Sequence, residues 1–148
     1  ISILGGLNTF AYVFDCNIGV DVIGLAVTIG QVDTYGELLK NSTVGDDLEL
    51  HHIPQDKLGF LPRKEGIAVV MPKSEHAMTR TYKTKGRITA SLDKNRAFKD
   101  ILKDDLVDLR KINPKYDDAI IKIIEGYEDL GMIDKGDITL SKIEESCK

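Results

Sequence analysis

Apolar residues recur every three or four positions in the last third of the chain. Phe98, Leu102, Leu106 and Leu109 repeat at helical spacing with Asp and Lys between them, which predicts an amphipathic helix. Ser91, before Leu92-Asp93-Lys94, is its candidate N-cap. Asn113-Pro114 ends it, because the residue before proline is pushed out of the α region. A second helix follows, with Tyr116, Ile120, Ile124 and Tyr127 on one face and Gly131 as its stop. Stripes of this kind usually bury a helix against a core, so the tail is expected to be scaffold.

The middle of the chain has a different rhythm. Leu48-Glu49-Leu50-His51-His52-Ile53 predicts a short strand ended by Pro54, and Gly66-Ile67-Ala68-Val69-Val70-Met71 a second one ended by Pro72. Lys73-Ser74-Glu75-His76-Ala77-Met78 then opens a helix expected to run to about Thr84, with Gly86 as its stop. The order strand, loop, strand, helix, followed by two long helices, predicts an α+β fold: a hairpin–helix core with a helical C-terminal region. Residues 1–30 stand apart. They are rich in glycine and apolar residues, and Asp15 and Asp21 carry their only charges.

Composition narrows the field. The 148 residues suit one domain. The net charge of -4 excludes a globally basic nucleic-acid binder, so any basic footprint must be local. One exists: residues 78–99 hold Arg80, Lys83, Lys85, Arg87, Lys94, Arg96 and Lys99 against a single acid, Asp93. A basic stripe is what backbone phosphates need; its plainer reading is a solvated helix face balanced by the acidic tail. Cys16 and Cys147 match no metal-ligand spacing and make no disulfide framework. No apolar stretch approaches the ~20 residues of a membrane span. The chain starts at Ile1 and reads as a piece of something longer.

All three histidines, His51, His52 and His76, fall on the predicted strand–strand–helix unit. Neutral imidazole is a common ligand for divalent ions and a good base near neutral pH. Two ligands and one free imidazole suffice for metal-assisted hydrolysis. Adjacent residues on a regular strand point to opposite faces, so His51 and His52 share a site only if the strand bends near Pro54. Thr79 and Thr81 are weaker candidates for phosphate hydrogen bonds.

Two resemblances add to this. Leu50-His51-His52-Ile53-Pro54, then Gly66-Ile67-Ala68-Val69-Val70-Met71-Pro72, then Glu75-His76-x-x-Thr79-x-Thr81 resembles the LHH-type branch of the HNH (ββα-metal) nucleases found at the ends of bacterial polymorphic toxins. The resemblance implies His51 and His76 as ligands of a divalent metal ion, Mg²⁺ or Zn²⁺, and His52 as general base. Arg80, Lys83, Lys85 and Arg87 would contact the nucleic acid. Colicin-type relatives carry another histidine where this chain has Arg80, so the metal's protein ligands would be two, completed by water and phosphate or by a carboxylate such as Asp56 or Glu75.

Separately, Ile3-Leu4-Gly5-Gly6-Leu7-Asn8-Thr9-Phe10-Ala11-Tyr12-Val13, with Asp21-Val22-Ile23-Gly24-Leu25-Ala26, is similar to the end of an Rhs/YD-repeat shell. Such a shell cuts itself after the Leu of Asp-Pro-x-Gly-Leu. That implies a boundary between residues 1–25 and a toxin domain of 26–148, with Asp21, Leu25 and Ala26 at the break and Val22 where the proline would stand.

The implied function is an antibacterial effector, secreted and delivered to the target-cell cytoplasm. There it would cut DNA, while a cognate immunity protein protects the producer. RNA cleavage on the same fold is one alternative. A non-catalytic module with structural histidines is the other, and it would show no divalent-dependent cleavage.

Overall fold

A computed structural model describes residues 26–43 and 45–148. The compact body comprises residues 28–40 and 45–148, and residues 26, 27 and 41–43 belong to a separate unit. The body is α+β: a three-stranded antiparallel sheet carries helices along its length of chain. No helix among the described residues is long and apolar enough to cross a membrane.

The strands are β1 (Val32–Thr34), β2 (Leu48–His52) and β3 (Ile67–Pro72), in the order β1-β3-β2. β3 is central and pairs antiparallel with both neighbours. That position explains its sequence. Residues 67–71 are buried on both faces, so the strand is a continuous apolar run rather than an alternating one. β2 is an edge strand with partly polar faces, Leu-Glu-Leu-His-His. Its register sets Glu49 opposite Met71, His51 opposite Val69 and His52 opposite Ala68.

The helices are α1 (Tyr35–Asn41), α2 (Lys73–His76), α3 (Thr84–Asp93), α4 (Phe98–Ile112), α5 (Asp117–Asp129) and α6 (Leu140–Ser146). The two long ones follow the periodicity closely. Leu102, Leu106 and Leu109 of α4 join Ile120, Ile124 and Tyr127 of α5 in one cluster with Val69 and Met71 of β3. Asn113 turns extended before Pro114, its side chain accepting from the amide of Lys115. Gly131, beyond α5, takes φ +74°, a conformation that favours glycine. Tyr127 anchors α5 to the end of β2 through its hydroxyl, which donates to the Ile53 carbonyl at 2.6 Å.

The region after β3 differs from the expectation. The helix opened by Lys73 lasts one turn and stops at His76, and Gly86 lies inside the next helix rather than ending one. The reason is local packing. The Gly86 Cα approaches the chain so closely that a Cβ there would sit 2.3 Å from the Thr81 carbonyl oxygen. Glycine is used here for close approach, not for chain termination. Ser91 is likewise inside α3, and α4 starts at Phe98 behind Ala97.

Candidate functional site

Glu49 and His51 are two residues apart on β2, so they share a face of the sheet. α2 follows β3 directly and carries His76 to that face. The His51 and His76 rings lie 4.9 Å apart between centroids, tilted by 54°. His76 Nδ1 donates to Glu49 Oε1 at 2.6 Å. A carboxylate only accepts, so Nδ1 carries the proton and Nε2 keeps the lone pair when the ring is neutral. Tyr82 packs edge-on against the other side of His76, with ring centroids 4.8 Å apart.

His51 is buried. Burial pushes its pKa down to about 3, with His76 and His52 adding to the shift by repulsion. It is therefore a neutral imidazole throughout the neutral pH range, and protons do not compete for its lone pair.

His52 takes the other direction, as the pleat requires. Its ring stacks on Tyr35 at the start of α1, 4.2 Å between centroids and 20° between planes. Its Nε2 donates to the Arg63 carbonyl at 2.9 Å. A carbonyl cannot donate, so this bond selects the Nε2–H tautomer and leaves Nδ1 as the basic nitrogen. Burial lowers the pKa of His52, outweighing the opposing effect of the hydrogen bond it donates to the Arg63 carbonyl. Gly66 gives the ring its room: a Cβ there would lie 3.0 Å from His52 Cδ2. The structure thus brings His51 and His76 together and turns His52 toward Tyr35, next to them along the strand.

Neither carboxylate proposed as a supplementary ligand is free. Asp56 receives Arg63 at 3.0 Å. Glu75 holds Lys115 at 3.0 Å and the Tyr116 hydroxyl. Among the described residues no group of three His, Cys, Asp or Glu side chains is disposed to hold a metal ion. The side chains that would hold one are His51 and His76, with His76 Nδ1 bonded to Glu49. Carboxylates habitually accept such a bond from metal-bound histidines. A two-residue set would leave the remaining positions to water and phosphate oxygens.

The basic candidates separate. Arg80 turns inward: Nη1 meets Asp105 at 2.5 Å, Nη2 meets Asp93 at 3.1 Å, and its backbone amide donates to Asp108 at 2.8 Å. Lys83, Lys85 and Arg87 are exposed, with Lys83 over the Tyr82 ring at 5.1 Å and Lys85 donating to the Ala77 carbonyl at 2.9 Å. Thr79 is fully buried and donates to the His76 carbonyl at 2.8 Å, so it holds the turn after α2. Asp21 and Leu25 lie outside the described residues, and Ala26 is the first described one.

The reading of motifs passed over Glu49, Tyr35, Tyr82 and the Arg63 carbonyl. Glu49 was the accessible one, since its two-residue spacing from His51 on a strand puts both on one face. Comparison of the chain with protein-family models, curated proteins and solved structures finds no match.

Proposed function

We propose that the His51–His76 pair with Glu49 is a hydrolytic centre for phosphodiester bonds, of the ββα-metal nuclease kind, acting most readily on DNA. The observation that carries the reading is the hydrogen bond from His76 Nδ1 to Glu49, set against a His51 that burial keeps neutral near pH 7. In this reading the two rings, 4.9 Å apart, would each offer an imidazole lone pair to the same ion. A divalent ion held there would polarise the phosphate and neutralise its developing charge. His52, proton on Nε2 and lone pair on Nδ1, faces away from this pair toward Tyr35; in this reading it would take the proton of the attacking water from the end of β2, where the chain bends at Ile53 and Pro54. The exposed Lys83, Lys85 and Arg87 would hold the backbone. In this reading the chain is a toxin domain, delivered by a shell-forming parent and restrained by an immunity protein.

A second reading is favoured by the same carboxylate–histidine bond. With Nδ1 tied to Glu49, His76 is also built as a general base in its own right. It would then take the proton of a ribose 2′-hydroxyl, and RNA would be cut without any metal.

Incubation of the purified protein with plasmid and with RNA, each with Mg²⁺, Zn²⁺ or EDTA, separates the two. Plasmid nicking that EDTA abolishes is expected. RNA loss indifferent to EDTA would move the assignment to the second reading, and inertness toward both would remove the nuclease assignment.

A further inference from the structure

α3 is built inside out. Its buried residues are Gly86, Thr89 and Asp93, a stripe of small and polar positions three and four apart. Each is fastened by a polar or close contact. Gly86 abuts the Thr81 carbonyl, Thr89 Oγ1 donates to the Arg80 carbonyl at 2.7 Å, and Asp93 receives Arg80 and Arg96. The two large apolar residues of the helix face solvent instead, Ile88 at 60% and Leu92 at 73% exposure. They are four apart and so protrude as one ridge. Lys85 and Arg87 flank them, with the hydroxyls of Thr84 and Ser91, all exposed. The one acid of α3, Asp93, is the buried one.

An outward face with two aliphatic knobs, two cations and no acid fits a polyanion that also has apolar surface to offer. Position names which. The Lys85 amide donates to the Tyr82 carbonyl at 3.0 Å, and the Tyr82 ring rests on His76, so α3 starts one side chain away from the candidate site. A duplex engaged there passes over α3. Phosphates can satisfy Lys85 and Arg87 but offer nothing to Ile88 and Leu92, whereas the faces of bases at an opened step do. We infer that α3 is a duplex-DNA contact in which Ile88 and Leu92 press into a base step as a wedge while Lys85 and Arg87 take the flanking phosphates. Aliphatic wedges backed by cations are a known way to bend DNA. This inference rests on the nuclease reading of the neighbouring site.

The test uses the full chain in EDTA and a duplex with 2-aminopurine at central steps, whose fluorescence rises when a base unstacks. Wild type should raise the signal severalfold. Ile88→Ala/Leu92→Ala should bind within about tenfold of wild type and leave the signal flat. Lys85→Ala/Arg87→Ala should bind at least about tenfold more weakly, with a salt slope shallower by roughly two. All four side chains are exposed, and circular dichroism checks that the variants fold. A flat signal with wild type, or an unchanged one with Ile88→Ala/Leu92→Ala, overturns the wedge and leaves the ridge to a protein partner. Plasmid cleavage is read on the same protein preparations with Mg²⁺ in place of EDTA: cleavage without unstacking sinks the wedge alone, whereas no cleavage by wild type sinks the nuclease reading itself.

Discussion

Glu49 and His76, twenty-seven residues apart in sequence, are joined by a 2.6 Å hydrogen bond from the histidine Nδ1 to the carboxylate. One bond fixes the tautomer and the ring orientation of His76, and it ties α2 to the edge strand β2. Glu49→Ala should therefore weaken divalent-metal binding about 10–100-fold while the protein stays folded. Glu49→Gln keeps an acceptor but no charge and should recover part of that loss. Zn²⁺ titration calorimetry on both variants measures it; unchanged affinity in Glu49→Ala would detach the carboxylate from the site.

Arg80 is a structural cation. Its guanidinium serves Asp93 and Asp105, which are 1% and 3% exposed. Removing it strands the buried Asp105 and leaves Asp93 to Arg96 alone, so Arg80→Ala should cost ~3 kcal/mol, the lower end for broken buried pairs because Arg80 itself is partly exposed. Lys85→Ala should change stability by no more than ~0.5 kcal/mol. Urea midpoints compare them. Equal midpoints would return Arg80 to the nucleic-acid surface.

The same cluster sets a pH dependence. Burial pushes the Asp105 carboxyl up to about 7 from an ordinary 3.8, against the pull of Arg80, and its Oδ2 is buried without a partner. Between those two values the folded chain holds a proton that the unfolded chain has released. The stability this confers is complete below about pH 4, falls as pH rises, and is gone above about pH 7. Asp105→Asn carries no titrating group, so the wild-type urea midpoint should fall more than the variant's between about pH 5 and pH 8. Parallel profiles would contradict this.

Gly86 should tolerate nothing larger. A Cβ at 2.3 Å from the Thr81 carbonyl and 3.1 Å from Gln55 Oε1 forces α3 off its seat, because the closer obstacle is backbone. Gly86→Ala should cost ~1–3 kcal/mol, as overpacking does, and hydrogen exchange should quicken first along α3. Exchange confined to other helices would show that α3 is held by different contacts.

What could be seen in the sequence follows from which forces are periodic. The stripes of α4 and α5 and the apolar run of β3 come from burial, which repeats with the geometry of the element; the residues named for them are buried except Phe98, which packs partly buried against the core. Strand–loop–strand around His51 and His52 was visible through Pro54 and Pro72. The chain after His76 departs from the sequence expectation because its contacts are not periodic apolar ones. Gly86 resembles a helix stop in sequence and is a close-approach residue in space. Arg80 resembles a surface cation and is claimed by Asp93 and Asp105, which lie 13 and 25 residues away. The divergence of His51 and His52 was foreseeable from strand geometry, because the chain bends only beyond them, at Ile53 and Pro54. The carboxylate behind His76 depends on a β2–α2 contact that no local pattern encodes.

The central claim is that His52 works as the base beside a centre held by His51 and His76. Single-turnover cleavage of duplex DNA with saturating Mg²⁺, comparing wild type with His52→Ala, tests it most directly. The account predicts a folded variant with unchanged metal and DNA affinity and a rate lower by ~10²–10⁴, the usual contribution of a positioned base. A folded His52→Ala that cleaves at the wild-type rate would contradict it.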